Sequence, residues 1–316
     1  MKDTDTRKIG IIGCGFVGSA CAFALMQSGL FSEIVLIDAD ENKAQGEALD
    51  ISHGLPFSKP MQISSGTYDD IQNASIIVIT AGTGQKPGET RLELVHRNVD
   101  IFKKIIPEIS KRNYQGILLT VSNPVDILTY TTLKLSSLPS NQVFGSGTVL
   151  DSARLKYMLG EHLEVDPRSV HAFILGEHGD SEIAAFSSAN VSGIALKEFC
   201  KTVCHNNNSD EEMREIAEEV KHSAYEIIEK KGATYYGIAM SVKRICEAII
   251  LDQKSILPVS SMQKGELNNI CMSMPAIIGK HGVERKVNIS LDENEMQKLK
   301  QSADMLKSII DDIDFS

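Results

Sequence analysis

The sequence predicts an α/β fold: a doubly wound parallel sheet over residues 1–146, then an α+β region over 147–316. Three observations carry this. Near-continuous apolar runs of strand length alternate with helical stretches in the first half, the pattern of a parallel sheet covered on both faces. The first run ends in glycines and opens directly into a helix. Past residue 146 the alternation gives way to long amphipathic helices among short strand-like runs.

Taken in order, "KIGIIGCG" (8–15) is a strand ending in glycines, and "FVGSACAFALMQSG" (16–29) is a small-residue helix closed by Gly29. "EIVLIDAD" (33–40) is the second strand and "ENKAQGEALDISHG" (41–54) a helix. "ASIIVITAG" (74–82) and "GILLTVSNP" (116–124) are strands flanking a helical stretch, 89–113. A helix follows over 124–137 with Pro124 near its start, then a short strand at 142–147. In the second half, "VLDSARLKYMLG" (149–160) reads as a helix, and 169–177 and 182–193 read as strands. Helices are predicted at 209–232, where Ser209 and Glu212 have capping-box spacing, and at 234–252 and 292–314. Two or three strands fall between Ser255 and Ile289.

Composition narrows the function classes. With a net charge of −10 and no dense Lys/Arg run, a nucleic-acid surface is not expected. Met1–Lys8 is polar and there is no apolar stretch of about 18 residues, so neither a secretory peptide nor a membrane span is expected. The six cysteines are scattered without a CxxC, which fits free thiols in a reducing cytoplasm. Cys200 and Cys204 have the spacing of a metal pair on one helix, and equally of two small half-buried side chains.

Gly13-Cys14-Gly15-Phe16-Val17-Gly18 is a GxGxxG turn between a strand and a helix, and Asp38 ends the next strand 20 residues after Gly18. That combination describes a Rossmann dinucleotide site: glycines let a pyrophosphate approach the helix N-terminus, and the acid accepts from the ribose hydroxyls. A carboxylate there repels a 2′-phosphate, so NAD is expected over NADP.

Three further stretches carry chemistry. "AGTGQKPGETRLELV" (81–95) is a glycine-rich connector at the carboxyl end of a strand, where ligands bind in such sheets. Arg91 at its end is either a solvated helix-start residue or a group that polarises a carbonyl. Asp151 and Arg154 are three apart on one helix face, as an ordinary ion pair or as a carboxylate beside an anion-binding arginine. "ILGEHGDSE" (174–182) sets His178 among glycines and acids at the end of an apolar run. As a metal ligand it has no second histidine at ligand spacing in its own segment. His171 is seven residues away, and on a strand an odd separation points to the opposite face.

Together these motifs resemble the NAD-dependent lactate/malate dehydrogenase superfamily, in its bacterial L-lactate branch. The resemblance runs from Lys8 to the last helix through GCGFVGS (13–19), Asp38, 81–95, VSNPVD (121–126), GSGTVLDSARLKYMLG (145–160), GEHGD (176–180) and KGATYYGIA (231–239). It implies reversible hydride transfer between NADH and pyruvate to give L-lactate, in a cytoplasmic, fermentative homotetramer without a metal. It implies that His178 transfers the proton, with Asp151 as its orienting partner. Arg154 would bind the substrate carboxylate and Arg91 polarise the keto oxygen. Asn123 would touch substrate and nicotinamide, Thr234 would lie near the substrate, and Ile238 would pack on the nicotinamide. Gly13, Gly15, Val17, Gly18, Asp38, Lys43, Tyr68, Gly82, Thr83, Val121 and Ser146 match further cofactor-contact positions. Glu177 and Asp180 are left as loop and strand-end residues.

Substrate choice within the superfamily turns on Gln85. Malate dehydrogenases place an arginine there for the second carboxylate of oxaloacetate; a neutral amide suits the methyl end of pyruvate and leaves that charge unpaired. Lys86 beside it is a reason to keep malate and bulkier 2-hydroxy acids as alternatives, and an inactive dehydrogenase-fold binding protein is the alternative of another class. Gly84 stands where some relatives carry an arginine that reaches the cofactor phosphates. Relatives activated by fructose 1,6-bisphosphate use an interface histidine and arginine. His171 matches the first, and Lys156 replaces the second without its planar fork. These two mark a candidate allosteric position.

Overall fold

The apolar runs of the first half lie side by side in a single sheet of the computed structural model. The structure describes residues 5–84, 88, 90–203 and 209–315, the side chains of Asp5, Thr6, Arg91 and Ser209 excepted. In the first half, β1 (Asp5–Ile12), α1 (Phe16–Ser28), β2 (Glu33–Ile37), α2 (Glu41–Ser52) and β3 (Gln62–Ser65) precede β4 (Ala74–Ile79), α3 (Arg91–Ser110), β5 (Ile117–Thr120), α4 (Val125–Leu135) and β6 (Val143–Gly145). The second half begins with α5 (Val149–His162) and the short strands β7 (Val170–His171), β8 (Ile174–Leu175), β9 (Ile183–Ala184), β10 (Asn190–Val191) and β11 (Ile194–Ala195). Helices α6 (Leu196–Thr202), α7 (Ser209–Lys231) and α8 (Tyr236–Ile250) follow. Strands β12 (Ser255–Met262), β13 (Cys271–Gly279) and β14 (Gly282–Lys286) and helix α9 (Glu293–Asp311) complete the order.

Strands β3-β2-β1-β4-β5-β6 pair in parallel in that spatial order. This is the doubly wound arrangement, and its order reverses between β1 and β4. Strand β4 shows why both faces are covered. Ile76 and Val78 enter one core with α1, α2 and α8, while Ile77 and Ile79 enter the other with α3, α4 and α9. Alternate residues on a strand point to opposite faces, so a continuous apolar run serves two helix layers at once.

The antiparallel strands β12, β13 and β14 extend the same sheet beyond β6, joined to it through the single pair Ser260–Gly145. The sheet therefore continues past the expected 146/147 junction. Two smaller sheets, β11-β10-β7 and β8-β9, stand apart. A third core, including Leu155, Leu159, Val170 and Val220, joins α5, α7 and β7.

Several elements differ from the sequence reading. The run 169–177 is interrupted after His171, and the run 182–193 is broken by a 3-10 turn at Phe186–Ser188. His171 and His178 therefore do not lie on one continuous strand. Strand β3 is a polar edge strand with alternating exposure, and α6 is one short helix; neither is long enough to show a period. Helix α1 buries Cys21, Ala22, Leu25 and Met26 but leaves Phe16 71% exposed. The Thr90–Glu93 capping box starts α3 and an Asp292–Glu295 box starts α9. The box expected at Ser209 lies outside the described side chains.

Candidate active site

The end of β1 and the start of α1 build the first part of the site. Gly13 has φ +100°, and a Cβ there would stand 2.5 Å from the Ala81 nitrogen. The Thr80 hydroxyl donates to the Gly13 carbonyl at 2.7 Å. A Cβ on Gly18 would stand 1.9 Å from that carbonyl oxygen, so α1 packs against the turn only because the residue is glycine. Gly15 differs: a Cβ there would meet nothing within 4 Å. It is the N-cap of α1, and no side chain caps that helix. The first turn thus presents backbone N–H groups to open space, an arrangement that fits a pyrophosphate.

Asp38, just beyond β2, accepts from the Cys14 N–H at 2.6 Å and from the Asp40 N–H at 3.0 Å. Asp40 caps α2, accepting from the N–H of Asn42 and of Lys43. Val17 and Ile238 are half-buried and pack against the same core that contains Val121. Tyr68 packs against the opposite core, with the Arg112 guanidinium 5.6 Å from its ring centroid. Ser146 is buried, and its N–H donates to the Thr120 carbonyl at 2.8 Å.

The loop after β4 is fixed by a residue the sequence reading passed over. Asn98, on α3 and 1% exposed, accepts from the Thr83 N–H at 2.9 Å. Its amide donates to the carbonyls of Thr83 at 3.2 Å and Asn123 at 2.9 Å. One buried amide therefore ties the loop containing Gly82 and Thr83 to the turn containing Asn123. A signal was present: Asn98 lies in the helical period of Val95, Val99 and Phe102, where an apolar residue belongs. Gln85 and the Arg91 side chain, on which the expected substrate contacts rest, lie outside the described residues, as does Cys204. Cys200 is buried.

The second half supplies the titratable cluster. Asp151 sits in the first turn of α5, its side chain 3% exposed. One oxygen, Oδ2, lies 2.6 Å from His178 Nδ1, and the other accepts from Arg154 Nη1 at 2.8 Å. The Arg154 side chain is 13% exposed and the His178 side chain 25%. The spacing from Asp151 to Arg154 therefore forms an ion pair and, with the same carboxylate, reaches the histidine. His178 is also held by its backbone, whose N–H donates to Asp126 Oδ2 at 2.8 Å. Thr234 is half-buried in the turn that leads into α8.

Two more buried acids lie close to His178. Asp126, in the first turn of α4, has its carboxyl raised to about 6 by burial, against the His178 N–H bond. Glu182, 6% exposed, is raised to about 8 by burial and by the Asp151 charge, against His178, Lys221 and Arg154. Ligating atoms of Asp151, His178 and Glu182 all lie within 4.8 Å of one another. Burial works against the charged imidazole, but the Asp151 charge and hydrogen bond outweigh it. With Glu182 and Asp126 behind them, they push His178 up to about 9. Burial also opposes the charged form of Asp151, yet His178 and Arg154 leave its carboxyl below the usual range. Neither Asp126 nor Glu182 announced itself in sequence, because an acid in a helix first turn or a loop is ordinary.

The acids beside His178 in sequence turn elsewhere. Glu177 is 2% exposed and accepts from the Ser181 hydroxyl at 2.6 Å, while Asp180 accepts from the Tyr225 hydroxyl at 3.1 Å. His171 is exposed on β7 and pairs with Asn190. Lys156 on α5 has its ammonium 5.8 Å from the Phe173 ring centroid, and burial, followed by the charge of Arg244, lowers its pKa.

Comparison with known proteins follows these lines. The family model described as lactate/malate dehydrogenase, NAD binding domain, matches residues 7–145. The model described as lactate/malate dehydrogenase, alpha/beta C-terminal domain, matches residues 148–314. An L-lactate dehydrogenase of Acetivibrio thermocellus is 51% identical over 310 residues, covering 98% of each chain. L-lactate dehydrogenase 1 of Clostridium acetobutylicum is 51% identical over 308 residues, covering 97% of this chain and 98% of that one. Among solved structures, a minor L-lactate dehydrogenase from Enterococcus mundtii in a ligand-bound form superposes with a TM-score of 0.95. It is 42% identical, over 99% of this chain and 100% of the other. A lactate dehydrogenase from a Medee basin deep-sea metagenome library gives 0.93 at 42% identity, over 99% of both chains.

Proposed function

The chain belongs to the lactate/malate dehydrogenase family, and from that premise we propose that it is an NAD-dependent L-lactate dehydrogenase. The observation that carries the chemistry is the Asp151 carboxylate, hydrogen-bonded at once to His178 (2.6 Å) and Arg154 (2.8 Å). The lactate branch is supported by neutral Gln85 and by relatives of about half identity whose names are L-lactate dehydrogenase.

On this reading NADH supplies the hydride. His178 donates a proton to the keto oxygen of pyruvate as imidazolium and takes it back from lactate as neutral imidazole. Asp151 accepts from Nδ1–H, which fixes the tautomer and leaves Nε2 to face substrate. Arg154 keeps guanidinium donors beyond the one given to Asp151, and these grip the substrate carboxylate. Arg91 polarises the carbonyl, Asn123 orients it, and Thr234 borders the substrate. Asp38 receives the adenosine ribose and disfavours NADP. Gly13, Gly15 and Gly18 admit the pyrophosphate, and Val17, Val121 and Ile238 form an apolar wall. Lys43, Tyr68, Gly82, Thr83 and Ser146 complete the cofactor contacts.

The cofactor region is assigned to 1–146 and the catalytic region to 147–316. The protein works as a cytoplasmic homotetramer, with His171 and Lys156 as the position for a fructose 1,6-bisphosphate effector. None of the helices in the described residues is long and apolar enough to cross a membrane. The deciding experiment is steady-state turnover of pyruvate, oxaloacetate and 2-ketoisocaproate with NADH. Pyruvate is expected to give the highest kcat/KM; better use of oxaloacetate would move the chain to the malate branch.

A further inference from the structure

We propose that Glu182 is a positioning residue for proton transfer: its buried carboxylate, behind the His178–Asp151 pair, keeps His178 protonated into the alkaline range. The inference rests on His178 being the proton-transfer residue. It adds a second carboxylate to that assignment.

The geometry places the charge. Glu182 is 6% exposed, and its ligating oxygen lies within 4.8 Å of both the His178 and the Asp151 ligating atoms. Its Oε1 is buried without a hydrogen-bond partner among the described residues. A carboxyl satisfied by neighbouring donors would be an ordinary structural group. One left with an unpaired oxygen beside an imidazole acts on it through its field. The surroundings decide when that field is on. Asp151 and Arg154 face the cluster from α5, Asp126 from α4 and Lys221 from α7. Lys221, paired with Glu218 at 3.1 Å, lines with Glu182 a cavity of about 1090 Å³. Glu295 of α9 lines it too, but is engaged by the Ser187 N–H at 2.9 Å, and Asp180 by Tyr225.

The two groups titrate together: burial and the Asp151 charge raise the Glu182 carboxyl, and a carboxylate at that place opposes loss of the proton from the imidazolium. At lower pH Glu182 is neutral and adds no negative charge to a site that must accept an anionic substrate.

The test is the pH profile of kcat/KM for pyruvate in the wild type and in Glu182→Gln. A neutral amide of the same shape cannot hold the imidazolium, so the alkaline limb is expected to move down by about one pH unit. An unmoved limb, or one displaced upward, overturns the proposal. Should Glu182→Gln fail to fold, NMR titration of the wild type with 13C-labelled glutamate and histidine answers the same question. A carboxyl midpoint near 8, seen also as an inflection in the His178 ring, is expected; no carboxyl titrating between 6 and 10 overturns the proposal. If wild-type turnover of pyruvate is absent, the enzyme reading fails instead, and the NMR result still judges the coupling.

Discussion

Asp151 Oδ2 and His178 Nδ1 stand 2.6 Å apart across 27 residues of chain. Strand β8 ends at Leu175, three residues before the histidine, and α5 begins at Val149, two residues before the aspartate. The Ser152 hydroxyl, next to Asp151, accepts from the Ile174 N–H at 2.8 Å and locks the two elements together.

This pairing fixes a pH dependence. On the proposed mechanism, His178 is protonated to reduce pyruvate and neutral to oxidise lactate. With its pKa held near 9, pyruvate reduction is expected to be level through neutrality and to fall above about 9, while lactate oxidation rises over the same range. The sign for stability is the same. A raised pKa contributes stability that is complete below the free-imidazole value of 6.5 and is lost as pH rises through about 9. Initial rates in both directions from pH 6 to 10, with urea melts at each pH, check both statements.

Asp151→Asn keeps the shape of the side chain and removes its charge. The alkaline limb for pyruvate is expected to fall by one or more units, and kcat/KM to drop about 100-fold. NADH binding, followed by fluorescence, is expected to stay within about twofold, because the partners of the Asp151 carboxylate are His178 and Arg154. An unchanged His178 titration would remove Asp151 from its role.

Asn98→Ala deletes the hydrogen bonds of the Asn98 amide with the Thr83 N–H, hydroxyl and carbonyl and with the Asn123 carbonyl. Its partners Thr83 and Asn123 are exposed and can turn to water, so the loss is expected to be about 1 kcal/mol in chemical denaturation. The KM for pyruvate should rise with it, since Asn123 loses its support. A variant with wild-type stability and KM would show that the tie is dispensable.

Gly15→Ala and Gly18→Ala separate folding from cofactor access. The first places a methyl in open space and is expected to leave the melting temperature unchanged while weakening NADH binding at least about tenfold, a loss of roughly 1.4 kcal/mol. The second drives a methyl into the Gly13 carbonyl, and is expected to destabilise the fold as well. Calorimetry and NADH titration of both variants distinguish them, and equal behaviour would contradict the geometry.

Much of this was legible in one dimension, and the reasons are local. Apolar runs such as Ala74–Ile79 report a strand buried on both faces, because backbone geometry alone sends successive side chains to opposite sides. The Gly13–Gly18 turn and Asp38 are likewise readable, since the spacing of glycines and the length of one β-α-β unit place them together. The broken strands between Val170 and Ala195 were not, because two-residue strands carry no period.

The sequence by itself determined the doubly wound sheet, the family, and the residue types able to move a proton and grip a carboxylate. Only the tertiary structure decided which acid meets which base. Glu177 and Asp180 are neighbours of His178 in sequence yet turn to Ser181 and Tyr225, while Asp151 and Glu182 approach its imidazole and Asp126 holds its backbone N–H. A charge acts through distance and dielectric, and both are set by how α4, α5 and the loop after β8 pack together. Sequence separation enters neither quantity.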